Sequence, residues 1–373
     1  MQFSYWEQST YFDQADVTII GSGIVGLSTA ISLKELHPNL KIIVLERGLI
    51  PTGASTKNAG FACIGSITEI LDDLNVLSDQ EVQALVNRRY QGLQKLRHRV
   101  TDQILDYQPL GGYELIADQT THELCEHNLD RLNTLLTPIT NLAETFTDAS
   151  NKLPQFCFQN THSLFLNHAE GQINTGQMMQ ALIQIAASKG IKILNQITVT
   201  HFDEATVHTD QTPPISTKRL IICTNGFARQ LLPDLDVNPA RAQVLITKPI
   251  PNLPFQGTFH LDRGYYYFRN IHNRVLFGGG RNLDFECETT TDMQTTTLIQ
   301  NQLKTLLQTT ILPKTPHEID YAWAGIMGMG TTKKPIIQQI NPTTFCAVRM
   351  GGMGVAIGTL VGEETAQMVS QSL

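Results

Sequence analysis

Residues 17–46 constrain the fold more than any other stretch. The run Val17-Thr18-Ile19-Ile20 leads straight into Gly21-Ser22-Gly23-Ile24-Val25-Gly26. An apolar segment of helical character follows from Leu27 to Leu36, and a second apolar run, Lys41 to Leu45, ends on Glu46. Strand, glycine turn, helix, strand and acid in this order form the unit that binds the diphosphate of a dinucleotide. Gly21 permits the tight turn, Gly23 lets the backbone approach a pyrophosphate, and Gly26 lets the helix pack on the strand. The helix N-terminus adds free N–H groups and partial positive charge. Glu46 falls about 20 residues past the last glycine, where a carboxylate can accept ribose hydroxyls.

Composition narrows the class. With 373 residues, 41% hydrophobic and 16% charged, the chain can build one large or two medium domains. A net charge of −7 without a long block of like charge argues against nucleic acid as a partner. No apolar stretch is long enough for an integral membrane segment. The first seven residues lack the basic and apolar regions of a secretory signal. Six cysteines are scattered without a C-x-x-C pair, which points to reduced thiols and a cytoplasmic location. The 11 histidines form no ligand-spaced cluster, so no metal is expected.

Helices are expected over 79–106, 121–136, 175–189 and 292–309, from apolar positions at helical spacing. Short strands are expected at 197–202, 205–209 and 219–223. The alternating, aromatic-rich stretch 240–288 predicts an antiparallel sheet. Residues 51–66 read as a loop. Gly351-Gly352-Met353-Gly354 reads as a turn opening a C-terminal helix. Nucleotide-type elements thus stand at the start, middle and end, with strand-rich segments between them. This order predicts a mixed α/β fold: a Rossmann-like domain of discontinuous segments (1–90, 160–235 and 320–373) with an inserted antiparallel-sheet substrate domain (91–159 and 236–319).

Three further motifs join the first. They are Gly53-Ala-Ser-Thr-Lys-Asn-Ala-Gly60, Ile222-Cys-Thr-Asn-Gly226, and Tyr321-Ala-Trp-Ala-Gly325 together with Gly351-Gly-Met-Gly-Val355. Together, over nearly the whole length, the chain resembles the D-amino-acid oxidase-like family of FAD-dependent oxidoreductases, which includes glycine, sarcosine and γ-glutamylputrescine oxidases. The resemblance implies FAD held by Gly21, Gly23, Ile24, Val25, Gly26, Glu46 and Arg47. It adds Ser55, Thr56, Asn58, Ala59 and Gly60 of the small-residue loop, Val199, Thr224, Asn225 and Gly226 on the adenine side, and Gly352, Met353, Gly354 and Val355. Ser55, Thr56 and Asn58 can hydrogen-bond phosphate or the flavin side chain; Ala59 and Gly60 leave room for a flat ring. Relatives that attach FAD covalently use a cysteine near the start of the final motif. Gly325 to Gly330 has none, so FAD is expected to be non-covalent.

On the substrate side, a strand at 265–269 would place Tyr265, Tyr267 and Arg269 on one face. Two readings stand: a pocket wall with hydroxyl and guanidinium, or a sheet whose arginine reaches water. Trp323 is a candidate pocket wall, and Arg281 a candidate contact. His260 reads as a core or surface histidine rather than a base. Amino-acid-oxidising relatives often carry an arginine where this chain has Met327; that arginine clamps the substrate carboxylate. Either Arg269 or Arg281 replaces it, or the substrate is an amine whose carboxylate is remote or absent. Sarcosine oxidases use a lysine over the flavin, and none lies between Lys248 and Lys304.

The resemblance implies oxidation of a C–N bond in a small amine or amino acid, with hydride passing to flavin N5 and electrons leaving to O₂ or another acceptor. No catalytic side chain is assigned. An FAD-dependent 2-hydroxy-acid dehydrogenase and a non-catalytic flavin-binding redox protein are the alternatives.

Overall fold

The computed structural model describes residues 2–373, which form two eight-stranded sheets and a small two-stranded one. Strand β1 (Ala15–Ile20) turns into helix α1 (Ile24–Leu36), and β2 (Ile42–Glu46) returns parallel to β1 with Ile19 opposite Val44. A Cβ on Gly26 would lie 1.9 Å from the Gly21 carbonyl oxygen, so only glycine allows this helix–strand approach. Gly21 itself has φ +102°, a left-handed conformation open to glycine. Helix α1 is buried from Ile24 through Leu33. It carries no amphipathic stripe because the sheet covers one side and the C-terminal helix the other.

A helical turn at Ala54–Lys57 and the short β3 (Phe61–Ala62) stand where the sequence reads as a loop. Helix α2 (Ile67–Leu74) starts with the Glu69 carboxylate accepting from the Ser66 N–H, and α3 (Asp79–Val100) with a reciprocal cap between Ser78 and Glu81. Then come β4 (Gly112–Ile116), α4 (Gln119–Thr140), β5 (Phe146–Asp148), β6 (Ser163–Asn167) and β7 (Gly171–Gln172). Helix α4 outruns its expected span because Asp118 caps it by accepting from the Thr121 N–H. Helix α5 (Thr175–Ser188) leads to β8 (Lys192–Asn195), β9 (Val199–Phe202), β10 (Thr206–Thr209) and β11 (Ile215–Ile222). The expected antiparallel block holds β12 (Asn238–Thr247), β13 (Thr258–Leu261), β14 (Tyr266–Ile271) and β15 (Arg274–Gly279). Helix α6 (Thr297–Leu306) begins later than 292, because the Thr296 N–H donates to the Gln243 side chain. The chain ends with β16 (Ile319–Met329), β17 (Ile336–Gln339), β18 (Thr344–Val348) and α7 (Gly354–Ser370).

The first sheet runs β17-β18-β11-β1-β2-β8, parallel apart from β17, with β10 and β9 appended through β11. The second runs β16-β12-β15-β14-β13-β4-β6-β5 and is antiparallel except where β13 meets β4. Three expected boundaries shift. Residues 91–100 bury Leu93, Leu96 and Val100 in the core of the parallel sheet, not with the second sheet. Residues 163–167 and all of 319–329 belong to the antiparallel sheet, where β16 pairs with β12 from Asn238↔Met329 to Thr247↔Ile319. The second core is aromatic: Phe259 and Phe268 stack with centroids 4.6 Å apart, among Tyr113, Phe158, Phe255 and Phe277. Among the described residues, no helix is long and apolar enough to cross a membrane.

Candidate active site

A single cavity of about 780 Å³ runs from the β1–α1 turn to the face of the antiparallel sheet. Its first end is built by the glycine motif. Gly21, Gly23, Ile24 and Val25 line it, while Gly26 sits behind, serving helix packing. The Ser55 hydroxyl accepts from the Ile24 N–H at 2.9 Å, leaving the N–H groups of Val25 and Gly26 at the helix start free for an anion. Glu46 lines the wall and is itself fixed: one oxygen accepts from the Ser22 N–H and hydroxyl at 3.2 and 2.9 Å, the other from the Gly48 N–H at 2.9 Å. A carboxylate has about four acceptor sites, so capacity for a ribose remains. Arg47 also lines the wall, its guanidinium 3.8 Å over the Phe227 ring.

The small-residue loop forms one long side. Ser55, Asn58 and Ala59 face the cavity. Thr56 does not: its hydroxyl donates back to the Pro51 and Gly53 carbonyls, locking the loop. Asn58 donates to the Ala54 and Ser55 carbonyls and accepts from the Gly60 N–H and the Thr175 hydroxyl. Gly60 lies off the wall with φ +75°, and a Cβ there would be 2.4 Å from Arg269 Nη1.

That contact revises two substrate-site expectations. Arg269 does not face the cavity: Nη1 donates to the Gly60 and Ile173 carbonyls at 2.8 Å each, and Nε to Asn270 at 3.1 Å. Its guanidinium is committed to backbone and buried, and burial pulls it down to about 10. Trp323 also stands off the wall, its indole N–H donating to the Lys57 carbonyl at 3.0 Å. Both residues hold the loop in place.

Val199 lines the cavity beside Ile197 and Thr198, and Thr224 and Asn225 line it as well. Gly226 is instead a packing glycine, since a Cβ would meet the Met327 carbonyl at 2.4 Å. Asn225 ties this strand end to the last motif by accepting from the N–H groups of Arg349 and Met350. Gly352, Met353, Gly354 and Val355 line the cavity. Helix α7 starts there without a side-chain cap, so its first-turn N–H groups stay open.

The far end brings together Tyr265 and Tyr267 with Phe61, His260 and Arg281, whereas Met327 lines the cavity beside Gly226 and Gly352. Strand β14 begins at Tyr266, so Tyr265 belongs to the preceding turn and is 41% exposed. Burial pushes the Tyr267 hydroxyl up to about 12 and draws the His260 imidazole down. The His260 ring lies edge-on to Phe61 at 5.1 Å, and Tyr267 to Phe61 at 5.6 Å. Lys57, Glu69 and Arg89 line this end and escape sequence reasoning. Only Glu69 left a signal, the Ser66-x-x-Glu69 cap spacing. Lys57 supplies a cavity lysine from outside the stretch Lys248–Lys304. Among the described residues, no cluster suited to a metal ion occurs.

The family model for FAD dependent oxidoreductase (DAO) matches residues 16–368. The chain belongs to this family. Within it, the chain is 23% identical over 387 residues to "Probable oxidoreductase OrdL" of Haemophilus influenzae, covering 96% of this chain and 84% of that protein. It is 22% identical over 372 residues to the γ-glutamylputrescine oxidoreductase of Escherichia coli, covering 95% and 83%. The fold is shared with L-proline dehydrogenase from P. horikoshii at TM-score 0.78 and 18% identity, covering 96% and 94%. An FAD-dependent family member needs a diphosphate cradle and space for a long dinucleotide. The free N–H groups at α1, the bare glycine turn and the continuous cavity of this chain fit that group.

Proposed function

We propose that this chain oxidises the C–N bond of a small amine or amino acid to an imine, with FAD held non-covalently and electrons leaving to O₂ or another acceptor. The observation that carries this reading is the wall facing the small-residue loop. It is aromatic, made of Phe61, Tyr267 and His260. Burial keeps its two titratable groups uncharged at neutral pH. Such a wall adds no charge of its own and favours the amine as its free base. FAD, when bound, supplies the two-electron acceptance that amine oxidation requires. Residues on the glycine turn and the small-residue loop hold the cofactor; Tyr267 orients the substrate against it. Met327 offers a thioether where a carboxylate clamp would need a guanidinium, which favours an amine without an adjacent carboxylate. Two relatives carry names giving γ-glutamylputrescine and L-proline, both bearing an amine nitrogen, and these names support the reading.

The cysteines support non-covalent attachment. Cys63 and Cys223 line the cavity, and burial pushes both thiols up, Cys63 with help from Glu170 and Glu69. Protonated thiols are poor nucleophiles. All six cysteines are free, in keeping with a cytoplasmic setting.

Product analysis tests this. Incubated with a panel of primary amines, amino acids and 2-hydroxy acids, the holoenzyme should release a carbonyl compound and ammonia from an amine or amino acid. Release of a keto acid from hydroxy acids alone would refute it.

A further inference from the structure

Arg281 is a half-buried cation without a counter-ion. It follows β15 through Gly279 and Gly280 and lines the cavity beside Tyr265. Burial draws its guanidinium down, and Tyr265 and Glu288 only partly offset this. Glu288 is spent elsewhere: its two oxygens accept from Arg241 Nη2 and Nε at 2.8 and 2.9 Å, and from Gln243 at 3.0 Å each. The Arg281 side chain rests 4.7 Å over the Phe285 ring, and among the described residues it donates no hydrogen bond and makes no ion pair. A guanidinium carries five N–H donors. Leaving them partly desolvated and unpaired is costly unless something else supplies the acceptor.

A second free cation stands beside it. Arg263 lies in the β13–β14 turn, where Asp262, Arg263 and Gly264 all have positive φ (+51°, +54° and +80°). Non-glycine residues reach this conformation at a cost, and such strain collects at functional sites. The conformation places Arg263 on the rim of the same cavity, again without a protein partner among the described residues. The two turns are tied: the Gly280 N–H donates to the Tyr265 carbonyl at 3.0 Å, and the Asn282 amide to Asp262 at 3.4 Å. Glu69 reaches Gly264 from α2, but one of its oxygens accepts from the Ser66 N–H and it pairs with neither arginine.

We infer that Arg281, assisted by Arg263, forms an anion subsite at the cavity rim that receives a carboxylate remote from the reacting nitrogen. The inference rests on the amine-oxidation reading and narrows it. The substrate class becomes amines with a carboxylate several bonds from the C–N bond, since Met327 itself offers no charge to hold an adjacent one and both arginines stand on the cavity rim. Arg281 approaches from a separate turn and can grip both carboxylate oxygens at once.

The test uses FAD-loaded protein and a series of ω-amino acids of three to six carbons, each paired with its carboxamide. Binding is read from the perturbation of the bound-flavin absorbance, and turnover from kcat/KM. At least one acid should bind about ten-fold or more tightly than its amide. Arg281→Gln should shrink that preference to about two-fold or less, with Arg281→Lys intermediate. Arg263→Gln, on an exposed turn, should lower it partially. FAD content and melting temperature verify that each variant is folded. Equal binding of acid and amide, or a preference that survives both glutamine variants, overturns the subsite. If the acids bind through Arg281 but no amine is turned over, the oxidation reading falls and the subsite stands.

Discussion

Arg269 and Gly60 are separated by 209 residues in sequence and joined by a 2.8 Å hydrogen bond, the guanidinium donating to the carbonyl. The same nitrogen donates to the Ile173 carbonyl. One arginine of the antiparallel sheet thereby fastens the loop that walls the cofactor cavity to the segment before α5. Arg269→Met should leave the buried Ile173 carbonyl unpaired, at a cost of about 1–3 kcal/mol, and loosen the loop, whose Gly60 carbonyl keeps only the Ile173 N–H. FAD binding should weaken about ten-fold or more by equilibrium titration. Arg269→Lys should recover little, because an ammonium lacks the planar fork.

Two glycines form a matched pair for a second prediction. A Cβ at Gly26 would stand 1.9 Å from the Gly21 carbonyl, whereas at Gly53 it would meet nothing within 4 Å. Gly26→Ala should therefore cost roughly 1–3 kcal/mol or more and abolish FAD retention. Gly53→Ala should change melting temperature and FAD content little. Thermal unfolding with and without FAD separates the two.

Buried carboxylates make stability depend on pH. Glu170 accepts from the Ile64 and Gly65 N–H groups, and Glu114 from the Thr68 N–H and hydroxyl. Burial pushes each up to about 7 from 4.5. The folded state then binds more protons than the unfolded state between pH 4.5 and 7, so stability falls as pH rises through that window. The ceiling is roughly 3 kcal/mol per group. Glu170→Gln keeps an acceptor for both N–H groups and removes the titration. Denaturation between pH 5 and 8 should show a shallower loss for the variant than for the native chain.

The Arg241–Glu288 pair is almost fully buried, with side chains 5% and 2% exposed. Glu288→Gln leaves the buried guanidinium with only the exposed Asp292 carboxylate at 3.6 Å and should cost about 3 kcal/mol in urea denaturation. The damage should fall on the packing of β12 against the chain before α6.

Legibility in the sequence followed the range of the interaction. The glycine turn, Glu46 and the opening of α7 were readable because their geometry is set within a few residues by strand, turn and helix signals. The destinations of Arg269 and Trp323 were not. Each side chain reaches the 53–60 loop across the sheet interface, and no local pattern records which face will meet it. Alternation at 265–269 gave the right face for Tyr267 and Arg269 but could not show that Arg269 ends on carbonyls. The boundary at 320 failed for a similar reason. Strand β16 follows the second sheet because it pairs along all of β12, a match between segments some 80 residues apart.

The most direct test of the account is anaerobic reduction of the bound cofactor. The FAD-loaded protein is mixed without oxygen with a panel of amines and amino acids, and the absorbance of oxidised flavin is followed. At least one of these compounds should bleach it. A flavin that dithionite reduces, but that no amine or amino acid bleaches, would contradict the account.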